Sequence, residues 1–212
     1  GLYKIFDKYL ISSSPERYLK RLNTKIISQP IKGTIRRGST QHEDNLLKNK
    51  LLLNEKDRAE NVMIVDLVRN DLARIANKGS VYVEELLGIY SFEHVHHMIS
   101  TIIAEVPITL SASEIIKHTF PMGSMTGAPK IRALQLIEQY EKTKRGLFSG
   151  SIGYIKPNGD MDFNVVIRSF TFNQTHQYLS YMAGSAITIH AKPEEEYEEC
   201  LLKARPIFEI FS

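Results

Sequence analysis

Cysteine is all but missing from this sequence: Cys200 stands alone among 212 residues. One thiol excludes an internal disulfide and any cysteine metal cluster. No apolar run approaches the length of a membrane span, and no charged-then-apolar leader opens the chain. Neither sign of charge dominates, with 27 Lys and Arg against 24 Asp and Glu, a net charge of +3, and no basic run. That balance argues against a nucleic-acid partner, while mild basicity suits a small acidic substrate. Repeats, low-complexity tracts and long linkers are also lacking, so residues 1–212 read as one large domain, or at most two small ones. The expectation is a soluble, cytoplasmic protein with neither a membrane nor a nucleic acid as partner.

What is present is an alternation of patterns. Short strands are predicted over 1–11 and 25–28, and helices over 43–53 and 55–76, the second with a stripe at Val65, Val68, Leu72 and Ile75. A strand is expected at Ser80–Val83 and extended chain over 93–106. A short helix follows over 112–119, entered from Ser111 or Ser113, and Pro129 suits the first turn of a helix to about Tyr140. The last third is β-rich over 150–156, 161–172 and 178–183, with Pro157-Asn158-Gly159-Asp160 as a hairpin turn. A helix closes the chain from about Pro193 to Phe211. Antiparallel strands with helices in separate blocks argue for α+β.

Chemistry enters at Gln29-Pro30-Ile31-Lys32-Gly33-Thr34, which sets an ammonium between a restricted proline and a free glycine. Ser14-Pro15-Glu16-Arg17 is a second short turn, carrying a carboxylate. On neighbouring turns Lys32 suits a nucleophile and Glu16 a general acid. A solvated loop lysine, and Glu16 capping a helix with Ser14, fit the same residues. Asp57 and Glu60 share a helix face, as do Glu196 and Glu199, with Lys203 one turn beyond Glu199. Carboxylates from two helices that meet repel unless a cation separates them, and hard oxygens without cysteine suit Mg²⁺. Acid-rich first turns are also favoured by the helix dipole without any metal.

The loop Phe120–Lys130, with Ser124 and Thr126, runs into a helix and offers N–H groups to an anion such as a carboxylate, or is a plain helix entry. It lacks the spacing of a nucleotide P-loop. Met182-Ala183-Gly184-Ser185-Ala186 is a small-residue turn open to a ligand, or a tight bend. His94-Val95-His96-His97 lacks a third ligand for zinc. Arg168, after Val165-Val166-Ile167, needs an anionic partner if buried and none if it faces outward.

In order along the chain, these motifs resemble the chorismate-utilising enzymes, which include anthranilate, aminodeoxychorismate, isochorismate and salicylate synthases. The resemblance runs from Ser14–Arg17 and Pro30–Thr34 through Asp57–Asn61, Met63–Asp71 and His94–Ser100. It continues at Gly127–Lys130, Gly150–Tyr154, Arg168, Ala183–Ser185 and Glu196–Lys203. It implies an anthranilate synthase component I-like fold, mainly antiparallel β-sheets packed face to face with helices outside. It also implies that the N-terminal part of the catalytic domain is lacking here.

Within that family anthranilate synthases carry alanine where Lys32 stands, whereas aminodeoxychorismate synthases carry lysine. The resemblance therefore implies a transferase-type amination of chorismate on the route to p-aminobenzoate and folate, with ammonia from a glutamine amidotransferase partner. Lys32 would be the nucleophile and Glu16 the acid. Gly33, Thr34, His97, Ser124, Thr126, Arg168, Gly184, Ser185 and Lys203 would bind substrate. Glu60, Glu199 and Glu196 would hold Mg²⁺, with Asp57 nearby. The alternatives are another chorismate-utilising activity, or a non-catalytic chorismate-binding or assembly module.

Overall fold

Proline and glycine within one short segment would ordinarily mark a turn, yet here they interrupt and reshape a strand. The computed structural model describes residues 1–189 and 191–211, apart from the side chains of Pro206, Ile210 and Phe211. Two units share the chain. The larger comprises Glu16–Lys144 and Ser151–Val165; the smaller comprises Gly1–Pro15, Arg145–Gly150 and the chain from Val166 on.

In the smaller unit β1 (Leu2–Ile5) and β2 (Lys8–Ser12) form a hairpin, with Phe6 in the left-handed region at φ 55°. The single strand expected over 1–11 is therefore two. In the larger unit β3 (Arg17–Leu22) and β4 (Lys25–Gln29) form a second hairpin, and β5 (Ile31–Arg36) follows Pro30. Neither β3 nor β5 is among the expected strands. β3 alternates poorly because Tyr18 and Leu19 are both buried, and its register shifts between Arg17 and Lys20.

Next come α1 (Gln41–Leu52), α2 (Glu55–Ala73), β6 (Tyr82–Ser91) and β7 (Val95–Glu105). β7 is buried over nearly its whole length and has β6 on one edge. On its other edge β4 and β5 lie in sequence, β4 against Ile102–Glu105 and β5 against Val95–Ile99. Pro30, which has no N–H to give a ladder, sits where one segment passes to the next, and its carbonyl accepts from Ser100 N at 3.3 Å. The expected turn is thus a strand junction, because β7 offers bonding partners on both sides of the proline.

α2 carries the expected stripe: Val65, Val68 and Leu72 are buried, as is Ile75 just beyond its end. Its docking on β7 is keyed by Asn61, which donates Nδ2 to Met98 O at 3.4 Å and accepts from Ser100 Oγ at 2.6 Å. α3 (Ala112–Thr119) starts from a Ser111–Glu114 capping box, so Ser111 rather than Ser113 is its entry. In α4 (Lys130–Tyr140), Pro129 is the N-cap, one position before its expected place. β8 (Ser151–Ile155) and β9 (Met161–Val165) pair across the predicted turn, with Gly159 at φ 86°. The antiparallel order in this sheet is β5-β7-β4-β3-β9-β8, with β6 on β7.

The stretch expected as one strand over 161–172 is broken. After β9 the chain bends, Arg168 adopts φ 50°, and β10 (Ser169–Asn173) joins the other unit's sheet. With β11 (Tyr178–Tyr181) that sheet has the order β1-β2-β10-β11, and α5 (Pro193–Phe211) completes the unit.

A buried polar knot holds the start of α1 against the strands. Asp44 accepts from Arg37 Nε at 2.8 Å, Arg37 Nη2 at 3.0 Å and Gly38 N at 2.8 Å, and lies 2.9 Å from His96 Nε2. The Arg37 guanidinium, first among these, holds the Asp44 carboxyl well below the usual range. Bonds from Ser39 and Arg36 hold neighbouring Glu43 at about 2. Both acids are more acidic folded than unfolded. The stability they add is therefore present above the unfolded carboxylate pKa, about 4, and lost as pH falls through the folded values. Asp44→Asn is expected to lower Tm by several degrees at pH 7 and to flatten the loss of stability below pH ~4. Thermal melts across pH 2–7 test this; an unchanged Tm at pH 7 contradicts it.

Candidate active site

Between Ile31 and Thr34 the β5–β7 ladder passes from Ile31↔Ile99 to Thr34↔His97, so β5 holds one residue more than its partner. This is a β-bulge, which bends a strand and re-aims its side chains. Gly33, at φ 89°, supplies the left-handed conformation it needs. The glycine also admits α2: a Cβ there would lie 3.1 Å from the Cβ of Asp57 and from Leu51 Cδ1.

Lys32 stands at the bulge with its side chain 20% exposed, and its Nζ is 3.8 Å from Glu60 Oε2 on α2. Lys32 is thus a strand residue rather than a turn residue, and its ammonium pairs with an acid assigned by resemblance to a metal. Two residues on, Thr34 Oγ1 lies 2.8 Å from Nδ1 of buried His97, whose ring tilts against Phe92. His96, on the opposite face of β7, serves Asp44 instead.

Glu16 immediately precedes β3 and is 5% exposed; its carbonyl accepts from Val165 N at 3.0 Å. It helps line a cavity with Tyr18, Ser28, Asp71, Thr119 and Ser124, where Lys32 is not among the lining residues. The space for water there is ≈ 20 Å³, room for about one molecule. Ser124 belongs to a single 3-10 turn, Gly123–Met125, and Thr126 Oγ1 closes that turn by donating to Met122 O at 3.1 Å. The Thr126 hydroxyl thus bonds to its own loop, whereas Ser124 faces the cavity.

In the smaller unit Arg168 donates Nη1 to Lys203 O at 2.7 Å, and Tyr181 OH donates to the same carbonyl at 3.0 Å. Arg168 therefore tethers α5 by its backbone, and it lies in a bend rather than in a strand. Lys203 donates Nζ to Gly184 O at 2.8 Å and pairs with Glu199 Oε1 at 2.6 Å. Ser185 Oγ donates to Glu196 Oε2, and Glu196 is 3% exposed. Residues 182–186 form neither a turn nor a bend but an irregular stretch, and this small-residue segment, Arg168 and the acids of α5 are one hydrogen-bonded cluster. Glu60 belongs to the larger unit and Glu196 and Glu199 to the smaller. Among the described residues no three or more His, Cys, Asp or Glu are arranged to hold a metal.

Tyr18, Asp71, Thr119 and Lys130 carry no predicted role, yet they form one network beside Glu16. Lys130 Nζ donates to Asp71 Oδ2 at 2.5 Å, Pro121 O at 2.7 Å and Thr119 O at 3.2 Å. Tyr18 OH lies 2.6 Å from Thr119 Oγ1, which donates to Ile115 O, so the phenol donates to the threonine. Burial pushes the Tyr18 hydroxyl up to about 12, so it keeps its proton at neutral pH. The signal available in the sequence was the presence of Asp71 and Lys130 inside two of the quoted motifs.

Comparison with known proteins bears on this geometry. The chain is 48% identical over 197 residues to the chloroplastic aminodeoxychorismate synthase of Arabidopsis thaliana, covering 92% of this chain and 21% of that protein. To anthranilate synthase component 1 of Aquifex aeolicus it is 41% identical over 206 residues, covering 97% and 41%. Its fold matches anthranilate synthase component I from Streptococcus pneumoniae with a TM-score of 0.85 at 35% identity, over 97% of this chain and 45% of that one. The chain thus spans between about a fifth and just under half of these relatives' lengths. No helix among the described residues is long and apolar enough to cross a membrane. A family model for chorismate binding enzymes matches residues 2–209, and the chain belongs to that family.

Proposed function

We propose that this protein aminates chorismate to 4-amino-4-deoxychorismate, as an aminodeoxychorismate synthase component 1, in p-aminobenzoate and folate synthesis. The observation that carries the reading is Lys32, a largely buried amine set on a β-bulge, where bulges commonly re-aim a functional side chain. In the reaction Lys32 Nζ bonds to ring carbon C2, the ring double bonds shift, and the C4–O bond breaks. Glu16 gives its proton to the departing hydroxyl, which leaves as water. Ammonia then bonds to C4, the double bonds shift back, and the C2–N bond breaks with its electron pair returning to Lys32. The proton shed by the new ammonium restores Glu16. Splitting the substitution into two displacements is the gain from covalent catalysis. A glutamine amidotransferase in the same compartment, the cytoplasm, supplies the ammonia.

Chorismate is a dianion, and Glu60, the acid paired with Lys32, would repel it unless a cation stood between them. His97 and Thr34 flank the bulge, and Ser124 stands on the Glu16 side. Arg168, Gly184, Ser185 and Lys203 are the substrate contacts proposed from the smaller unit. Mg²⁺ is the proposed metal, with Glu60, Glu196 and Glu199 to hold it. Their chemistry fits: all are hard carboxylate donors, and Glu60 and Glu196 are buried, where negative charge favours a cation. Mg²⁺ commonly takes one or two protein carboxylates and completes its shell with water and substrate oxygens. When bound, it would neutralise a carboxylate of the substrate.

Anthranilate formation is the second reading, favoured by the Aquifex relative and opposed by Lys32. Incubation with chorismate, Mg²⁺ and ammonium, with the product identified by mass and chromatography, separates the two. A non-catalytic module yields no product at all. Lys32→Ala is expected to lower aminodeoxychorismate formation by about a hundredfold or more. Chorismate without ammonia should leave a mass adduct on Lys32. An unmodified lysine, together with an unimpaired Lys32→Ala variant, sinks the covalent mechanism.

The metal assignment has its own check. Glu60→Gln and Glu199→Gln each remove a donor charge at nearly constant size. Both are expected to raise the Mg²⁺ concentration for half-maximal activity by about tenfold or more. Unchanged Mg²⁺ dependence in both variants counts against these ligands.

A further inference from the structure

Two motifs that carry the family resemblance have no part in the proposed chemistry: Met63–Asp71, at the end of α2, and Gly127–Lys130, at the start of α4. They meet in space. Lys130 and Asp71 lie 59 positions apart, and their side chains are 13% and 6% exposed. Burial pushes the Asp71 carboxyl up, and the ammonium of Lys130 pulls against it. Charge pairing alone would call for one contact, but Lys130 makes three.

The other two contacts are backbone carbonyls, and their places matter. Thr119 O belongs to the last residue of α3, where the helix dipole favours a cation. Pro121 O begins the loop that carries Met122, Gly123 and Ser124 into the cavity wall beside Glu16. Lys130 itself follows the far end of that loop, after Gly127 at φ 151°. One side chain therefore ties the start of the loop to its end, and both to α2. Gly123 in turn lies close on α2, where a Cβ would come within 2.9 Å of Leu67 Cδ2.

We propose that Lys130 is a positioning residue for the reaction, acting through the Met122–Ser124 segment to fix the cavity wall that Glu16 faces. It touches neither substrate nor reacting atoms. Its ammonium sets the distance between α3, the loop and α2, and a shift of about 1 Å in such a wall can cost a hundredfold in rate. The inference rests on the functional reading above, because the rate it governs is that of chorismate amination.

The test separates the ion pair from the loop anchor, using the full-length chain with chorismate, Mg²⁺ and ammonium. Lys130→Met leaves a buried carboxylate without its ammonium and should lower Tm markedly. The double variant Asp71→Asn/Lys130→Met removes both charges and should recover most of that Tm. It still lacks the donor to Thr119 O and Pro121 O, so its kcat should stay about tenfold or more below wild type, with KM within about threefold. Asp71→Asn alone keeps both carbonyl bonds and should fall between wild type and the double variant. Backbone hydrogen exchange over residues 120–127 should quicken in both Lys130 variants, a readout independent of activity. The inference is overturned if kcat recovers along with Tm in the double variant. It is overturned equally if Asp71→Asn alone is as slow as the double variant, or if exchange over 120–127 does not change. A wild-type chain that makes no product overturns the functional reading, and the positioning role with it, whatever the exchange data show.

Discussion

The docking of α2 onto β7 is the constraint on which the larger unit depends. Ile64, Val65, Val68 and Leu72 are buried, each contributing about 1.5–3 kcal/mol when fully removed from water. That burial drives the helix onto the sheet but does not choose its axial position. Asn61 does, through Met98 O and Ser100 Oγ, and Ser100 Oγ in turn accepts from Leu87 N on β6. An unsatisfied partner in this interior costs about 1–3 kcal/mol, comparable to one apolar residue. A helix slipped along its axis would forfeit both bonds of Asn61. Glu60, the neighbour of Asn61, is therefore carried to a set place above the sheet.

The strand beneath is adjusted to meet it. Regular pairing along β5 would not supply the extra residue that the ladder absorbs between Ile31 and Thr34. Gly33 makes the bulge accessible at φ 89° and leaves space for Asp57 and Leu51. Lys32 then meets Glu60 in a mostly desolvated setting, where each charge requires the other. Breaking a buried pair by removing one partner costs on the order of 3–5 kcal/mol, whereas its net contribution to folding is small. The pair therefore fixes where Lys32 and Glu60 sit more than it stabilises the fold.

The smaller unit uses the same logic with different parts. Lys203 is bonded at both ends, its carbonyl by Arg168 and Tyr181 and its ammonium by Gly184 O and Glu199. The left-handed bend at Arg168 is what turns its guanidinium toward α5 instead of along a strand. In both units an acid from a helix is paired with a lysine close by: Glu60 with Lys32, Glu199 with Lys203.

Local chemistry was enough to foresee much of this molecule. The 3.6-residue stripe of α2, the start of α3 at Ser111 or Ser113, the Pro157–Asp160 turn and α5 all depend on neighbours a few positions away. Lys32, Glu16, Glu60 and Glu199 could likewise be picked out as an ordered set of motifs. β3 and β5 could not, because each takes its conformation from strands far along the chain. Pro30 and Gly33 signal a turn locally, and only the long edge of β7 makes them a junction and a bulge. The partner of Lys32, the tether on Arg168 and the meeting of Asp71 with Lys130 are equally invisible in one dimension. Such pairings link residues tens of positions apart, and their strength comes from burial, which exists only once the sheets and helices have closed over them.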